Sequence, residues 1–259
     1  MERRIISCLA LLAAGWLTQS CSVSPPPDQA SPGRATRQIV AERVSVVVVT
    51  DRDSLSDWFS HDSKSSQVPG DSDAGSAVPI APDGYFLTAD HVLERIDGRN
   101  VFLIYGQGKH LSLAKARVVW RSESSDLALL HTPNHTPYYY QWTSPKGWLP
   151  KGNRVIHGGV STGSSSGDGK LGTALAPESM FTGTRKFKID IPLQPGDSGG
   201  PVVDAYGHLV GINSAVEFLV PLETAFFVDS EGNRPNIGKM DVLIRNDRAS
   251  RREPSVRAE

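Results

Sequence analysis

The apolar residues of this chain fall into short segments that are rich in β-branched side chains and are separated by turn residues. Segments of this length and composition predict β-strands, whereas helical periodicity is scarce. The turn Pro82–Gly84 should separate two further strands, because proline presets one turn dihedral and glycine tolerates the next. Many short strands joined by polar turns predict an all-β protein, a sandwich or a barrel with few short helices. The clearest predicted strands are Val44–Thr50, Val101–Tyr105, Ala116–Trp120, Leu127–Leu130, Arg154–His157, Pro201–Val203 and Leu209–Ile212.

The composition is that of an ordinary globular protein without a nucleic-acid-binding surface. The chain has 259 residues, of which 39% are hydrophobic and 21% are charged, and its formal net charge is -1. A net charge this close to zero creates no positive electrostatic field that would attract nucleic acid, so we expect no nucleic-acid partner. Its 2 cysteines, Cys8 and Cys21, both lie near the start, so a disulfide cannot staple the later core.

The N-terminus has the anatomy of a secretory signal peptide. Arg3 and Arg4 precede the apolar stretch Ile5–Leu17, which is shorter than the roughly 20 apolar residues of a membrane-spanning helix. Cys21 stands where bacterial lipoproteins carry their acylated cysteine. We therefore expect residues 1–21 to be a signal peptide with a lipid-attachment cysteine, and the protein to be anchored to a membrane, facing the periplasm or the cell exterior. A conventional signal cut nearby, with an idle Cys21, is the alternative.

Both ends of the remaining chain have compositions that disfavour a core. Residues 22–38 are rich in proline, serine and small polar residues, which predicts a disordered, semi-rigid linker. Residues 245–259 are rich in arginine and have almost no large apolar side chains, which predicts a disordered tail. The folded domain is expected to span residues 39–244.

The strongest local motif is Pro195–Pro201, with Ser198 at its centre. A nucleophilic serine needs an exposed hydroxyl on a tight turn, with backbone N–H groups free to bind the oxygen that becomes negative during attack. The glycines make such a turn accessible, and Gly196 and Ser198 would supply the two amide donors of an oxyanion hole. A glycine-rich hairpin turn without a catalytic role is the alternative.

A serine nucleophile needs a base, and the base needs an acid to orient it. Among 7 histidines, His91 follows the apolar segment Tyr85–Ala89, at the expected end of a buried strand, while His157, also near a strand end, is an ambiguous alternative. Asp126 directly precedes the apolar strand Leu127–Leu130, so its carboxylate should lie at the edge of the core. We predict that His91, Asp126 and Ser198 form a catalytic triad; for Asp126 alone, capping of a strand is an equal alternative.

Together these segments resemble the chymotrypsin clan, and in particular the bacterial high-temperature-requirement proteases, with the chain order His, Asp, Ser. The resemblance implies an all-β fold of two perpendicular six-stranded antiparallel β-barrels, with the triad in the cleft between them. It also implies a serine endopeptidase that acts on polypeptide substrates through an acyl-enzyme, without cofactor or metal. The segments that carry the resemblance are Gly75–Val78, Pro82–Tyr85, Thr88–Val92, Ser124–Leu130 and Gly207–Ser214.

The sequence also departs from that family. Only a short charged tail follows the last strand, so we expect the family's C-terminal peptide-binding domain to be absent. The oligomeric state of that family therefore gives no prediction for this chain. Asp197 stands where the family often has asparagine, and a buried acid there needs a partner.

The resemblance also places four residues in the substrate pocket. Pro192 lies at its base, where an acid would be needed to select lysine or arginine, and Ser214, Ala215 and Val216 form the strand that pairs with substrate. A shallow apolar pocket for small aliphatic side chains follows. The alternative is that Pro192 and Val216 are core residues.

Two other functions fit parts of the sequence. A protease-like scaffold that binds unfolded chains as a chaperone would keep this fold without catalysis. An α/β-hydrolase would place its serine in Gly-x-Ser-x-Gly with histidine last in the chain, whereas here Asp197 precedes Ser198 and His91 comes first.

Overall fold

The computed structural model describes residues 32–43, 45–62, 69–107, 110–142, 152–161, 170–173, 179–181, 184–190, 193–219 and 226–252. In these ranges the chain is mostly β. The helices are α1 Arg34–Glu42, α2 Ser56–Asp62 and α3 Ile237–Arg252, and 3-10 turns span Asp90–Leu93 and Glu123–Ser125. The strands are β1 Ser45–Thr50, β2 Asp73–Ser76, β3 Val78–Pro79, β4 Tyr85–Thr88, β5 Asn100–Gln107, β6 His110–Ser122, β7 Leu127–His131, β8 Arg154–His157, β9 Lys170–Thr173, β10 Ser179–Phe181, β11 Thr184–Lys188, β12 Pro201–Val203, β13 Leu209–Leu219 and β14 Phe226–Arg234.

The predicted strands are present, and the expectation of a mostly β fold with few helices is confirmed. β8 and β12 have the predicted bounds, whereas β6 and β13 are longer than predicted. The added start of β6 mixes polar with apolar residues and is mostly exposed, so it lacks the continuous apolar run by which a buried strand is recognised in a sequence.

The first sheet contains β1 to β7 in the order β2-β1-β5-β6-β7-β4-β3. Its edge strands β2 and β3 are separated in the chain by Ala77 alone, whose N–H donates to the Ser45 carbonyl at 2.8 Å. The sheet is therefore a nearly closed β-barrel, and apolar side chains such as Val47, Phe86 and Leu130, each 0% exposed, fill its interior.

The pairing of β4 with β7 brings two predicted site residues to one edge of this sheet. The strands are antiparallel, with Thr88 opposite Ala128. His91 lies in the 3-10 turn that follows β4, and Asp126 directly precedes β7. The end of one strand and the start of the other therefore hold the histidine and the aspartate side by side.

The second sheet has the order β10-β11-β14-β13-β12-β8-β9. The turn that carries Ser198 leads into β12, and β13 carries Ser214 between β12 and β14. Val155, Phe187 and Val202 fill its interior. The perpendicular arrangement of two six-stranded barrels stays a prediction.

A shared core joins the two sheets. Tyr138 and Tyr140, in the connection between β7 and β8, are 8% and 3% exposed and meet edge to face at 6.3 Å. Because the contact is apolar and buried, it fixes the cleft between the sheets. The side chains packed in it from the two sheets include Leu87, Leu129, Ile156, Leu209 and Ile212.

The structure corrects both predicted boundaries of the folded domain. α1 begins at Arg34, inside the predicted linker 22–38, and buries Val40 to 2% exposure. α3 continues to Arg252, so residues 245–252 of the predicted tail 245–259 are helical. The prediction was wrong because this part of α3 is attached by polar contacts that composition does not reveal.

Those contacts join α3 to the turn at the start of β4. Arg248 donates to both carboxylate oxygens of Asp83 at 2.8 and 2.6 Å, and the Tyr85 hydroxyl donates to Asp247 at 2.7 Å. Buried Met240 supplies an apolar anchor. Among the helices in the described ranges, none combines the length and apolar character that a membrane span requires.

Candidate active site

His91 is held by the residue before it. Asp90 is 5% exposed, and its carboxylate accepts two hydrogen bonds from Arg121, at 2.7 Å from Nε and 3.1 Å from Nη2. A two-point guanidinium–carboxylate contact fixes both partners in orientation as well as position. No local sequence signal predicts this pair, because Arg121 lies 31 residues further along the chain.

The imidazole of His91 contacts the carboxylate of Asp126. Its Nδ1 lies 3.0 Å from both Oδ1 and Oδ2, and the backbone N–H of His91 donates to Oδ1, also at 3.0 Å. This geometry places the ring proton on Nδ1 and leaves Nε2 as the acceptor. The predicted acid and base are thus brought together.

Asp126 adopts an unusual backbone conformation. Its φ of 45° and ψ of 53° lie in the left-handed region. Within the described ranges, Asp126 is the only non-glycine residue with a positive φ. Such a conformation costs about 1 to 3 kcal/mol and clusters at functional sites. The 3-10 turn before it and the pairing of β7 after it hold the side chain toward His91.

The electrostatics of the pair favour a charged carboxylate. Burial acts to raise the pKa of Asp126, but hydrogen bonds and charge from His91, with a bond from Ser214, hold it below its ordinary value of 3.8. Burial acts to lower the pKa of His91, but Asp126, with smaller contributions from Asp90 and Glu94, raises it above 6.5. Asp126 therefore stabilises the protonated imidazole that a general base forms when it takes a proton.

Ser214 makes a further bond to this pair. Its hydroxyl donates to Asp126 Oδ2 across the gap between the two sheets, and its side chain is buried at 1% exposure. From the sequence, Ser214 was predicted to bind substrate only, because no local signal marks a contact between residues 88 positions apart.

The turn around Ser198 depends on glycine on both sides of the serine. Gly196 and Gly199 have φ values of 96° and 86°, which side chains rarely adopt. A Cβ on Gly199 would also lie 2.1 Å from the carbonyl oxygen of Ser76. The glycines of the motif are therefore required by geometry at these positions.

Two amides of this turn are available to bind an anion. The N–H groups of Asp197, Gly199 and Gly200 donate to backbone carbonyls at 2.8–3.0 Å. Those of Gly196 and Ser198 have no backbone acceptor among the described residues. These are the two donors that the sequence predicted for an oxyanion hole.

Asp197 has a partner within the same turn. It is 0% exposed, and its Oδ2 accepts a hydrogen bond from the backbone N–H of Gln194 at 3.1 Å. The Asp197 carboxyl is thus bonded to the backbone of the segment that precedes it, and this contact shapes the turn.

The candidate residues line one cleft of about 860 Å³. The His91 side chain is 40% exposed there, and Ser198 is 8% exposed. The described contacts include no hydrogen bond between Ser198 Oγ and the imidazole, a bond that often tightens only when substrate is bound. The cleft brings together His91, Asp126, Ser198, Gly196 and Ser214.

Residues 75–212 match the family model described as the trypsin-like peptidase domain. The chain belongs to this family. The match spans the segments that hold His91, Asp126 and Ser198, and it covers more than half of the chain.

Curated relatives of this trypsin-like peptidase domain include several proteins named as proteases. One is a probable periplasmic serine endoprotease DegP-like of Pseudomonas fluorescens, 29% identical over 198 residues, which are 66% of this chain and 38% of the relative. Another of that name, from Bartonella henselae, is 28% identical over 151 residues, or 55% of this chain and 28% of the relative. The chain thus spans well under half of the length of these relatives.

Solved structures share the fold. The HtrA-type protease AlgW with tripeptide matches with a TM-score of 0.55 and 21% identity, covering 82% of this chain and 63% of that one. The serine endoprotease from Yersinia pestis matches with a TM-score of 0.54 and 21% identity, covering 84% of this chain and 69% of that one.

The predicted pocket of this trypsin-like domain is described only in part. Ala215 and Val216 continue β13 opposite Ser230 and Asp229. Pro192 and Cys21 lie outside the described residues. Residues of β11 and of the segment before Ser198 also line the cleft and were not predicted from the sequence, namely Lys186, Leu193 and Gln194.

Proposed function

We propose that this protein is an exported serine endopeptidase in which His91, Asp126 and Ser198 form the catalytic triad. The observation that carries the proposal is the 3.0 Å contact between the His91 imidazole and Asp126, in the same cleft as Ser198. The amides of Gly196 and Ser198, which have no backbone acceptor in the described part of the chain, add the electrostatic element that acyl transfer needs.

In this mechanism His91 Nε2 accepts the Ser198 proton while Oγ attacks the peptide carbonyl. The amides of Gly196 and Ser198 donate to the oxyanion of the tetrahedral intermediate. His91 then gives its proton to the leaving amine, and the acyl group remains on Ser198. Water, deprotonated by His91, releases the acid and restores the serine.

We extend the proposal to architecture and location. We propose that the two sheets form two perpendicular six-stranded barrels; the first sheet has six strands when β2 and β3 are counted as one bent strand. Export to the periplasm agrees with the signal-like N-terminus and with the names of the relatives. Acylation of Cys21 would then anchor the domain to the membrane.

The proposed substrates are polypeptides with a small aliphatic residue, such as alanine or valine, before the cleaved bond. The apolar side chains of Leu193 and Pro195 line the cleft. The ammonium Nζ of Lys186, which also lines it, lies 3.8 Å from Oε2 of Glu231, and this carboxylate offsets the charge of the lysine. In a peptide library, alanine or valine at that position should raise kcat/KM by about 10- to 200-fold over lysine or arginine. Preferential cleavage after lysine or arginine would refute this specificity.

Covalent labelling tests the function itself. A fluorophosphonate reacts with a serine only where a base and an oxyanion hole activate it, so the native protein should carry one adduct, on Ser198. Tandem mass spectrometry locates the adduct, and heat-denatured protein is the control. If Ser198 labels no faster than it does after denaturation, the protein is a catalytically idle binding scaffold.

A further inference from the structure

Two serines outside the triad bind consecutive carbonyls of the turn before Ser198. The Ser76 hydroxyl donates to the Gly196 carbonyl at 2.6 Å, and the Ser161 hydroxyl donates to the Pro195 carbonyl. Ser76 ends β2 of the first sheet, whereas Ser161 follows β8 of the second. The turn is therefore held from both sides of the cleft.

We propose that Ser161 and Ser76 are positioning residues that aim the oxyanion-hole amide of Gly196. In a planar trans peptide the C=O of one residue and the N–H of the next point in opposite directions. Fixing the Pro195 carbonyl with Ser161 therefore fixes the direction of the Gly196 N–H. Ser76 fixes the next peptide plane, so the two hydroxyls set both sides of Gly196.

Gly196 needs external restraint chiefly on the peptide before it, because the peptide after it is already held by the Asp197 N–H, which donates to the Gln194 carbonyl at 2.9 Å. With φ at 96° and no side chain, Gly196 can rotate the preceding peptide at little steric cost. A Cβ at this position would lie 2.8 Å from Ser161 Oγ, so the hydroxyl packs directly against the glycine. The restraint comes from a neighbouring hydroxyl instead of from a side chain on the turn.

The Ser76 hydroxyl is itself oriented. It accepts a hydrogen bond from the Val160 N–H at 2.9 Å, which leaves its proton for the Gly196 carbonyl. The backbone N–H of Ser76 donates to the Ser198 carbonyl at 2.8 Å, and its carbonyl accepts from Thr88 Oγ1 at 2.8 Å. Ser76 is 1% exposed, so these bonds are shielded from water.

The inference rests on the proposed peptidase activity, and its kinetic signature is a change in kcat. Loss of one oxyanion donor lowers kcat by about 10²- to 10³-fold, so a misdirected donor should cost somewhat less. We expect Ser161→Ala and Ser76→Ala each to lower kcat by roughly 10- to 100-fold, with KM changed by less than about threefold. Ser161→Thr keeps the hydroxyl and should restore most of the rate.

Thr136→Val is the matched control. Thr136 is 2% exposed, and its hydroxyl donates to the Ala81 carbonyl at 2.8 Å, away from the cleft. This variant loses a buried hydroxyl-to-carbonyl bond of the same kind, and its kcat should stay at the wild-type value. An equal loss of kcat in Thr136→Val would overturn the inference, because the effect would then report general destabilisation.

A second measurement does not depend on activity. The chain contains 3 Pro–Gly pairs, namely Pro32–Gly33, Pro69–Gly70 and Pro195–Gly196. With ¹³C-carbonyl proline and ¹⁵N glycine, an HNCO spectrum reports these pairs alone. Ser161→Ala should move the Pro195–Gly196 signal and leave the other two in place. If the Pro195–Gly196 signal does not move in Ser161→Ala, the inference is wrong. If the signal moves but the wild-type protein proves inactive, the inference stands and only the proposed function is overturned.

Discussion

Replacement of Ser198 by alanine should abolish peptide-bond hydrolysis, lowering kcat by roughly 10⁶-fold. The hydroxyl is the proposed nucleophile, so without it no acyl-enzyme forms. The rest of the turn should persist, because the Ser198 carbonyl still accepts from the Ser76 N–H, at 2.8 Å in the wild type. In stopped-flow assays of an ester substrate, the wild-type protein should release a burst of the alcohol leaving group as the acyl-enzyme forms, and this burst should be absent in the variant.

Alanine keeps the size of the site almost unchanged, so KM and thermal stability should stay close to wild type. Ser45→Ala serves as the control, since Ser45 is likewise buried, at 2% exposed, and its hydroxyl lies 3.4 Å from the Tyr138 hydroxyl, outside the cleft. Retention of more than a trace of hydrolysis by purified Ser198→Ala would mean that the nucleophile lies elsewhere.

The strands could be predicted from the sequence because short β-branched runs such as Val46–Val49 carry their own signal. α3 could not, since its last turns are held by ion pairs such as that of Arg248 with Asp83, while composition indicates a tail. Predictions from composition test whether a segment can bury apolar surface. They fail where polar partners from elsewhere in the chain hold it.

The same distinction applies to the site. His91 and Asp126 were assigned from their positions beside apolar strands, and the pairing of β4 with β7 brings them together. The supporting contacts could not be predicted, because they join residues far apart in the sequence. Ser214 and Asp126 are 88 residues apart, and Ser76 and Gly196 are 120 residues apart. A local motif specifies the reacting groups, whereas the groups that orient them depend on how the two sheets meet.

Replacement of Asp126 by asparagine should lower kcat by about 10⁴-fold. The carboxylate accepts from His91 Nδ1, from the His91 backbone N–H and from Ser214. An amide of the same size can keep one oxygen for these donors, but its NH₂ group would face Nδ1 and favour the ring proton on Nε2. The histidine would then lack the lone pair that accepts the Ser198 proton.

The pH dependence separates this loss of geometry from a loss of charge. His91 acts as a base only when neutral, and Asp126 raises its pKa above 6.5, so wild-type kcat/KM should rise with pH through that raised pKa. In Asp126→Asn the acid limb should move to lower pH, yet the rate at its plateau should stay about 10⁴-fold below wild type.

Asp90→Asn is the matched comparison, because Asp90 also raises the His91 pKa by its charge, but bonds Arg121 and not the imidazole. It should shift the acid limb in the same direction, with a far smaller loss at the plateau. Equal plateau rates for Asp126→Asn and Asp90→Asn would show that Asp126 supplies only a negative charge, and that the orientation of the imidazole is set by another contact.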